Sequence, residues 1–482
     1  MDEFLKEVYV SIFRKWITYQ TSEYYTISES ENEAEDALIL DSPSAVGKII
    51  FHEECVIELS VTNKKTDEIE YYLHFRMQTL KHAVCLFHEM VDAIETYNKQ
   101  KSVRILLSCT SGLTTGFFAE ELNNAAKSAG KDYHFDAVAY GELTQNGTDY
   151  DMILLAPQIG FQEARVAAVF DRTPVATIPS PIFAKYDTSA CFAFIEERLG
   201  VEKEKEDPML TMPLKKASTF SDIVLSIGII YTAHHVHLHY RVYEKQDILT
   251  YGDVIKHRLA LVDLNDIINM ALMSCPKIRI VAIAAPGVTM SGVLTLPSRD
   301  IDHVDVVGYL KNLHPTLSFE LDNDVNAVAC ALYAIQNKVQ TLSFLMLPRN
   351  SASGGIGSLV NGHLIRGYHH IAGEVSYLPL EMSGDKNELA ESEQGSLEIV
   401  SKTLVSLVSI LGPEEIFYYA PNVPEVDEVH EAMSQLIPEE YIPPINKIGN
   451  LKEYLLFGEL MIVVMRSQLP TTKVAGLKEF CD

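Results

Sequence analysis

Residues 104–122 read RILLSCTSGLTTGFFAEEL, and the fold of the surrounding region turns on this stretch. An apolar run from Val103 ends at Cys109, small and hydroxylic residues follow from Thr110 to Gly116, and then a helical pattern begins. Short β-rich apolar runs indicate strands, and apolar residues at intervals of three and four indicate helices. A loop that joins a strand end to a helix N-terminus aims successive backbone N–H groups at the strand end, with the helix dipole behind them. That geometry cradles a phosphoryl group and also lowers a cysteine pKa toward thiolate. The loop holds no Lys or Arg, so an anion there would rest on backbone amides and on the hydroxyls of Thr110, Ser111, Thr114 and Thr115, in a cradle that includes Gly112. The alternative is a buried cysteine closing a strand, since free Cys is among the most buried residue types. Residue chemistry leaves both open.

Outward from this loop, FDAVAY, YDMILLAP and TPVATIP are further short apolar runs separated by helical or polar stretches. The alternation implies a small parallel sheet with covering helices over residues 101–200. Residues 201–220, charged and proline-bearing, read as a linker. Residues 1–100 read as an α+β domain: a helix near 2–18, an acidic loop SESENEAED, four strands, and a helix at 79–97. No chemistry and no helix-turn-helix attach to it. Residues 221–482 are α/β throughout and suggest a two-lobed fold, with no internal repeat visible.

Composition narrows the function classes. With 482 residues the chain has room for about three domains. Asp plus Glu is 66 against 39 Lys plus Arg, a formal charge of -27, and basic residues form no patch beyond pairs such as Lys64-Lys65. Such a chain repels nucleic acid and anionic membranes, so no direct nucleic-acid contact is expected. Seven widely spaced cysteines with no CxxC pair offer neither a disulfide framework nor a thiolate metal site, which fits a reducing compartment. The N-terminus shows no signal-peptide core and no apolar run approaches a membrane span. A soluble cytoplasmic protein is expected.

The cysteine stretch, continued through YDMILLAPQIGFQEARVAAVF (150–170) and TPVATIPSPIFAKYD (173–187), resembles the lactose/cellobiose-type enzyme IIB proteins of the bacterial phosphotransferase system. The resemblance implies that Cys109 takes a phosphoryl group from a histidine of an enzyme IIA and passes it to a sugar. It makes Thr110 to Thr115 the cradle and brings Ala156, Pro157 and Gln158 to the same site as a second loop.

Further along, IRIVAIAAPG (278–287) runs a buried strand into a Pro-Gly turn, and FELDNDVNAVACALYA (319–334) carries Asp322, Asn323, Asp324 and Asn326 into a helix. A carboxylate there could accept a sugar hydroxyl proton with Asn323 orienting the ring; equally, Asn and Asp are the preferred helix N-caps. SASGGIGSLVNGHLIRGYHHIAGEVSYLPL (351–380) adds a glycine-rich turn, a hairpin and an AGE triplet. Together these resemble the ROK family of sugar kinases and sugar-responsive regulators, built on an actin-like ATPase fold. The resemblance implies sugar contacts at Asn323, Asp324, Glu374 and His369, with Asp324 in the general-base position, and a homodimer by analogy.

The departures from that family are informative. Its DxGGT phosphate motif reads SIGII at 226–230: Ser226 stands for the metal-linked Asp, and Ile229 and Ile230 stand for Gly and Thr. A β-branched residue where backbone must approach phosphate is a steric block, and losing the Asp removes the Mg²⁺ anchor. The second phosphate motif reads SASGGIG at 351–357, and Tyr419-Ala420 replaces an adenosine-side Gly-Gly. The family's zinc histidine falls at Tyr377, which could still bond a sugar hydroxyl, and its cysteine-rich stretch is replaced by cysteine-free MSGDKNELAESEQGS. The expectation is therefore a pseudokinase without ATP or zinc. His235, His237 and His239 share one strand face by spacing and form either a metal site or ordinary packing.

The combined expectation is a cytoplasmic sugar-linked sensor. It would accept a phosphoryl group on Cys109 from an enzyme IIA and bind a sugar or sugar phosphate without phosphorylating it. The rivals are an active sugar kinase, a IIB that delivers phosphate to sugar, and a regulator reaching DNA through a partner.

Overall fold

The computed structural model of the chain describes residues 3–30, 36–64, 67–99, 103–128, 131, 133–146, 150–170, 173–199, 220–232, 234–245, 247–336, 339–423 and 425–468. Apart from Phe220, the linker expected at 201–220 lies outside the described residues. The chain divides into two compact units, Met1–Lys203 and Glu204–Asp482.

The first unit begins with α1 (Glu3–Thr18), whose inward stripe of Phe13 and Ile17 is fully buried. Five strands follow, β1 (Thr26–Glu29), β2 (Ala37–Asp41), β3 (Ala45–Phe51), β4 (Val56–Asn63) and β5 (Ile69–Arg76), each antiparallel to the next. The sequence suggests four strands. The fifth, β1, takes the start of the acidic stretch read as loop, because an edge strand needs only one hydrogen-bonded neighbour and tolerates charged side chains. Helix α2 (Leu80–Lys99) covers β3 and β4. It meets α1 through Trp16 edge-on to Phe87, ring centroids 5.3 Å apart.

The second half of this unit alternates strand and helix: β6 (Val103–Cys109), α3 (Leu113–Ser128), β7 (Tyr133–Ala139), α4 (Leu143–Asn146), β8 (Met152–Leu155), α5 (Glu163–Ala167), β9 (Val175–Thr177), α6 (Ser180–Lys185) and α7 (Thr188–Leu199). All strand pairs are parallel, in the order β7-β6-β8-β9. Strand residues alternate between two cores. Ile105, Leu107, Met152 and Leu154 pack with Phe118, Leu122 and Phe192, whereas Leu106, Ile153 and Leu155 pack with Val166 and Phe170. The chain order reverses between β6 and β8, and open parallel sheets bind ligands beyond the strand C-termini at such a point. Cys109 ends β6 there.

The second unit holds two sheets of identical topology. The first comprises β10 (Ile223–Tyr231), β11 (Val236–Glu244), β12 (Asp247–Lys256), then α8 (Leu261–Ser274), β13 (Ile278–Ala285), a small sheet of β14 (Val288–Met290), β15 (Val293–Leu296) and β16 (Ile301–Asp305), α9 (Val306–Leu313) and β17 (Ser318–Asn323). Its strand order is β12-β11-β10-β13-β17: three antiparallel strands, then two added in parallel. Helix α10 (Asp324–Ile335) leads to the second sheet, of β18 (Leu342–Met346), β19 (Gly355–Val360), β20 (His363–Leu364), α11 (Lys386–Ala390), α12 (Glu393–Leu411), β21 (Glu415–Tyr419), α13 (Val426–Ser434) and β22 (Ile445–Lys447). Its order, β20-β19-β18-β21-β22, repeats the first. The final helix, α14 (Leu451–Gln468), packs on α10, β10 and β13. This duplicated α/β lobe is the actin-like arrangement. The two copies share a topology without a sequence signature, which explains why no repeat is visible along the chain.

Between the lobes α10 and α14 form one core, with Val328, Leu332, Phe344, Leu359, Leu455 and Met461 fully or almost fully buried. Among the described residues one helix, α12, has the length and apolar composition of a membrane span, where the sequence reading expects none. Half of that stretch is buried, with Val400 and Leu404 in the second lobe's core.

Candidate functional site

The loop after β6 closes tightly over the Cys109 thiol, which is 2% exposed. Gly112 adopts φ +79, where a Cβ would sit 3.2 Å from the Ala139 backbone nitrogen, so only glycine makes this turn without strain. The turn brings the Gly112 N–H to 3.1 Å from Cys109 Sγ. The Thr115 hydroxyl donates to Sγ at 3.2 Å, and Thr114 Oγ1 lies 3.5 Å away. Burial pushes the thiol up, but hydrogen bonds from Thr115, Thr114 and the backbone at Thr115 and Ser111 outweigh it and lower the pKa to about 7. In contrast, burial raises the Cys191 thiol to about 12 and also raises Cys55 and Cys330.

Of the residues expected around Cys109, Thr115 is fully buried and faces inward, while Thr110, Ser111 and Thr114 are exposed. The second loop is adjacent: Ala156 N–H donates to Ser108 O at 2.8 Å, Pro157 opens a short 3-10 helix, and Gln158 is exposed. Both open questions about the cysteine therefore receive the same answer. Cys109 is buried at a strand end and is also the acceptor of a nest of donors, because the loop folds back over it.

In the second unit β17 ends at Asn323 and Asp324 begins α10. Asn323 is the N-cap, its Oδ1 accepting the Val325 N–H at 3.0 Å, and its Nδ2 donates to Gly287 O at 2.6 Å. Asp324, 7% exposed, accepts the same Val325 N–H at 2.8 Å. Burial pushes its carboxyl up, the nearby Glu374 carboxylate adds to the rise, and the Val325 N–H opposes it, leaving the pKa at about 7. Glu374 is itself raised by burial. It is held by a bridge to Gly355 and by the Ile356 N–H donating to Gly373 O at 2.8 Å. Asn323, Asp324 and Glu374 thus form one cluster. His369 and Tyr377 lie at the surface: His369 is exposed and edge-on to Tyr368, and Tyr377 is 74% exposed. The neighbouring His370 hydrogen-bonds Thr289 O instead, tying the second lobe to the first.

Sequence reasoning missed the ion network behind this cluster. The Asp322 carboxylate, 1% exposed, accepts Arg366 at 2.6 Å and Arg466 at 2.8 Å, and Arg466 also pairs with Glu320. Glu459 on α14 is fully buried, and burial and Asp322 push its carboxyl well up against the pull of Arg366. No signal along the chain links residues 322, 366, 459 and 466; the segment after β20 supplies Arg366, and the return of α14 supplies Glu459 and Arg466.

Comparison with known proteins follows the same two sites. Residues 104–187 match the family model described as PTS system, Lactose/Cellobiose specific IIB subunit, and residues 240–396 match the ROK family. The chain joins a lactose/cellobiose-type IIB segment to a ROK segment.

A curated relative, the PTS system lactose-specific EIICB component of Lacticaseibacillus casei, is 32% identical over 84 residues, which are 17% of this chain and 15% of the relative. The chain thus spans only a small part of that relative's length. Among solved structures, the ROK hexokinase from Thermus thermophilus aligns at 17% identity over 51% of this chain and 99% of its own, with a TM-score of 0.41. The lactose-specific IIB component domain from Streptococcus pneumoniae aligns at 21% identity over 20% of this chain and 97% of its own, with a TM-score of 0.19.

The ROK-matched stretch contains Asn323, Asp324 and Glu374 and begins beyond Ser226. Ser226 is fully buried on the face of β10 that α14 covers, and its hydroxyl has no partner among the described residues. Ile229 is 2% exposed, its side chain turned to the opposite face. The surviving glycines of the second phosphate motif have a packing cause. A Cβ on Gly357 would lie 2.2 Å from Val325 O, so β19 approaches α10 only with glycine there.

His235, His237 and His239 do share a face, with ring centroids 6.2 and 5.8 Å apart in succession. Burial and neighbouring histidines lower His235 and His237 to about 4. His239 pairs with Asp253 at 2.5 Å. Among the described residues no group of three or more His, Cys, Asp or Glu is placed to hold a metal ion.

Proposed function

We propose that the protein is a cytoplasmic sugar-linked sensor of the phosphotransferase system. Its IIB segment accepts a phosphoryl group on Cys109, and its ROK segment binds a sugar or sugar phosphate without phosphorylating it. The observation that carries the reading is the Cys109 nest, where hydrogen-bond donors hold a nearly buried thiol at about pKa 7. At neutral pH about half of such thiols are thiolate, the nucleophilic form.

In the transfer, Cys109 Sγ attacks the phosphorus of a phosphohistidine on a IIA partner. The S–P bond forms as the N–P bond breaks, and the departing imidazole nitrogen keeps the electron pair and takes a proton. The exposed Thr110, Ser111 and Thr114 hydroxyls and the loop amides then carry the added charge. In the ROK segment Asn323, Asp324 and Glu374 supply hydrogen bonds to sugar hydroxyls. The buried Ser226 and Ile229 and the packing role of Gly357 support a pseudokinase that does not take ATP·Mg²⁺, and Tyr377 with the cysteine-free stretch 382–396 supports a chain that does not take zinc. The charge of -27 supports a function without direct nucleic-acid contact.

The test has two arms. Incubation with phosphorylated IIA should add one phosphoryl group, read by intact mass and absent in Cys109→Ser. Calorimetric titration should detect a sugar or sugar phosphate but no ATP·Mg²⁺, and micromolar ATP binding would refute the pseudokinase. One observation favours a second reading as a sugar kinase: a general base works best with a pKa near the working pH, and Asp324 lies at about 7. Sugar-dependent ATP hydrolysis abolished in Asp324→Asn would establish it.

A further inference from the structure

The first lobe contains a cavity of about 130 Å³ lined entirely by apolar side chains. Its walls come from the face of β10, β13 and β17 opposite α14, through Ile229, Ile283, Ala285 and Leu321, and from α8 and the β14–β16 sheet, through Leu264 and Leu294. Ile229, Ile283, Ala285, Leu264 and Leu294 are nearly or fully buried, whereas Leu321 keeps partial exposure, so the cavity is not sealed. Apolar cavities of on the order of 150 Å³ stay dry and accept benzene-sized guests. No charged or polar side chain lines this one, so water finds few partners to hold it.

The cavity's position relates it to the candidate sugar cluster. Ala285 is the register partner of Asn323, and Leu321 lies two residues before Asn323 on the same strand. Residues paired across strands, and residues two apart on one strand, point to the same face. Asn323 therefore shares a sheet face with two wall residues of the cavity. Asn323 Nδ2 also bonds Gly287 O just beyond β13. A ligand with hydroxyls at Asn323 would have this apolar space as its immediate neighbour.

We infer that the cavity is a subsite for an apolar substituent, and that the ROK segment's ligand is an alkyl or aryl glycoside rather than a bare sugar. This rests on the sugar-binding reading above. Ile229 is part of the evidence: where the family pattern has a glycine beside phosphate, this chain builds the wall of an apolar pocket. Burial of a phenyl ring there adds affinity in proportion to the apolar area removed from water.

The experiment is calorimetry on the full chain with methyl and phenyl glycosides of glucose, galactose and mannose. The phenyl glycoside of the preferred sugar should bind about tenfold more tightly than its methyl counterpart. Ala285→Leu, which fills the cavity, should erase that gain and leave methyl glycoside affinity unchanged. Equal affinities would overturn the inference while leaving sugar binding intact. Absence of binding by every glycoside would instead remove the sugar-binding reading and this inference with it. Since Ala285→Leu can disturb β13, benzene titration of the unaltered protein by ligand-observed NMR gives a second check. No saturable binding at millimolar benzene would overturn the cavity as a guest site.

Discussion

The Cys109 loop and the Asp324 turn are built alike and titrate in opposite directions. Each places an ionisable side chain where a strand runs into a helix, and each buries it. At Cys109 the chain folds back and supplies donors: the Gly112 N–H and the Thr115 hydroxyl, with Thr114 beside them. Those bonds outweigh burial, and the charged form is favoured. At Asp324 one N–H, from Val325, serves both the Asn323 and Asp324 side chains, and the charged neighbour that acts on it is another carboxyl, Glu374. Burial prevails there and the neutral form is favoured. A helix N-terminus alone therefore does not set the sign of a pKa shift; the count of donors against the depth of burial does.

The largest effect expected from this contrast is at Cys109 itself. Cys109→Ser should lose phosphoryl acceptance completely, because a serine hydroxyl does not ionise near neutral pH. Phosphoryl transfer persisting in that variant, measured by intact mass, would break the contrast by moving the chemistry elsewhere.

Next in size is the pH dependence that Asp324 imposes. Its folded pKa of about 7 lies above the ordinary carboxylate value near 3.9, so the folded state binds the proton more tightly than the unfolded one. Its stabilising contribution is full below about pH 4 and is lost as pH rises to about 7, amounting to up to about 4 kcal/mol. Asp324→Asn should therefore gain stability relative to the parent across that window, measured by urea midpoints at several pH values. A constant difference between the two proteins would show that Asp324 ionises freely.

Gly357→Ala probes the packing that buries Asp324's helix. The added Cβ meets Val325 O at 2.2 Å, so β19 must move off α10. A cost of about 1–3 kcal/mol is expected, with an unchanged denaturant slope. A neutral result would return Gly357 to a role in ligand binding.

The smallest effect sharpens the contrast most. Thr115→Val removes one donor while conserving shape, and should raise the Cys109 pKa by about one unit. The midpoint of pH-dependent alkylation should shift upward accordingly from about 7. Thr114→Val should shift it less, since its hydroxyl is 3.5 Å from sulfur.

Much of this was legible along the chain. The alternating runs from Val103 onward carry a parallel sheet because each strand is apolar on both faces and each helix on one. Cys109 and its hydroxylic loop stand contiguous in sequence, so their proximity needed no fold to establish it. The same holds for Asn323 and Asp324. Strand β1 was obscured because its charged residues match an acidic loop, and edge pairing leaves no apolar alternation to read.

The sequence by itself determined local chemistry: which loop carries a cysteine among hydroxyls, which turn carries carboxylates, and where β-branched residues follow Gly228 at the end of an apolar strand. Tertiary structure alone decided what lies beside what. It set Glu374 against Asp324, sent Thr115 inward to the thiol, and brought Arg366 to Asp322 across 44 residues of chain and Glu459 and Arg466 across more than a hundred. It also left the apolar cavity beside Asn323. The reason is physical: short-range pattern fixes strands and helices through side-chain periodicity, whereas burial, charge neighbours and cavities arise from distant segments packed together.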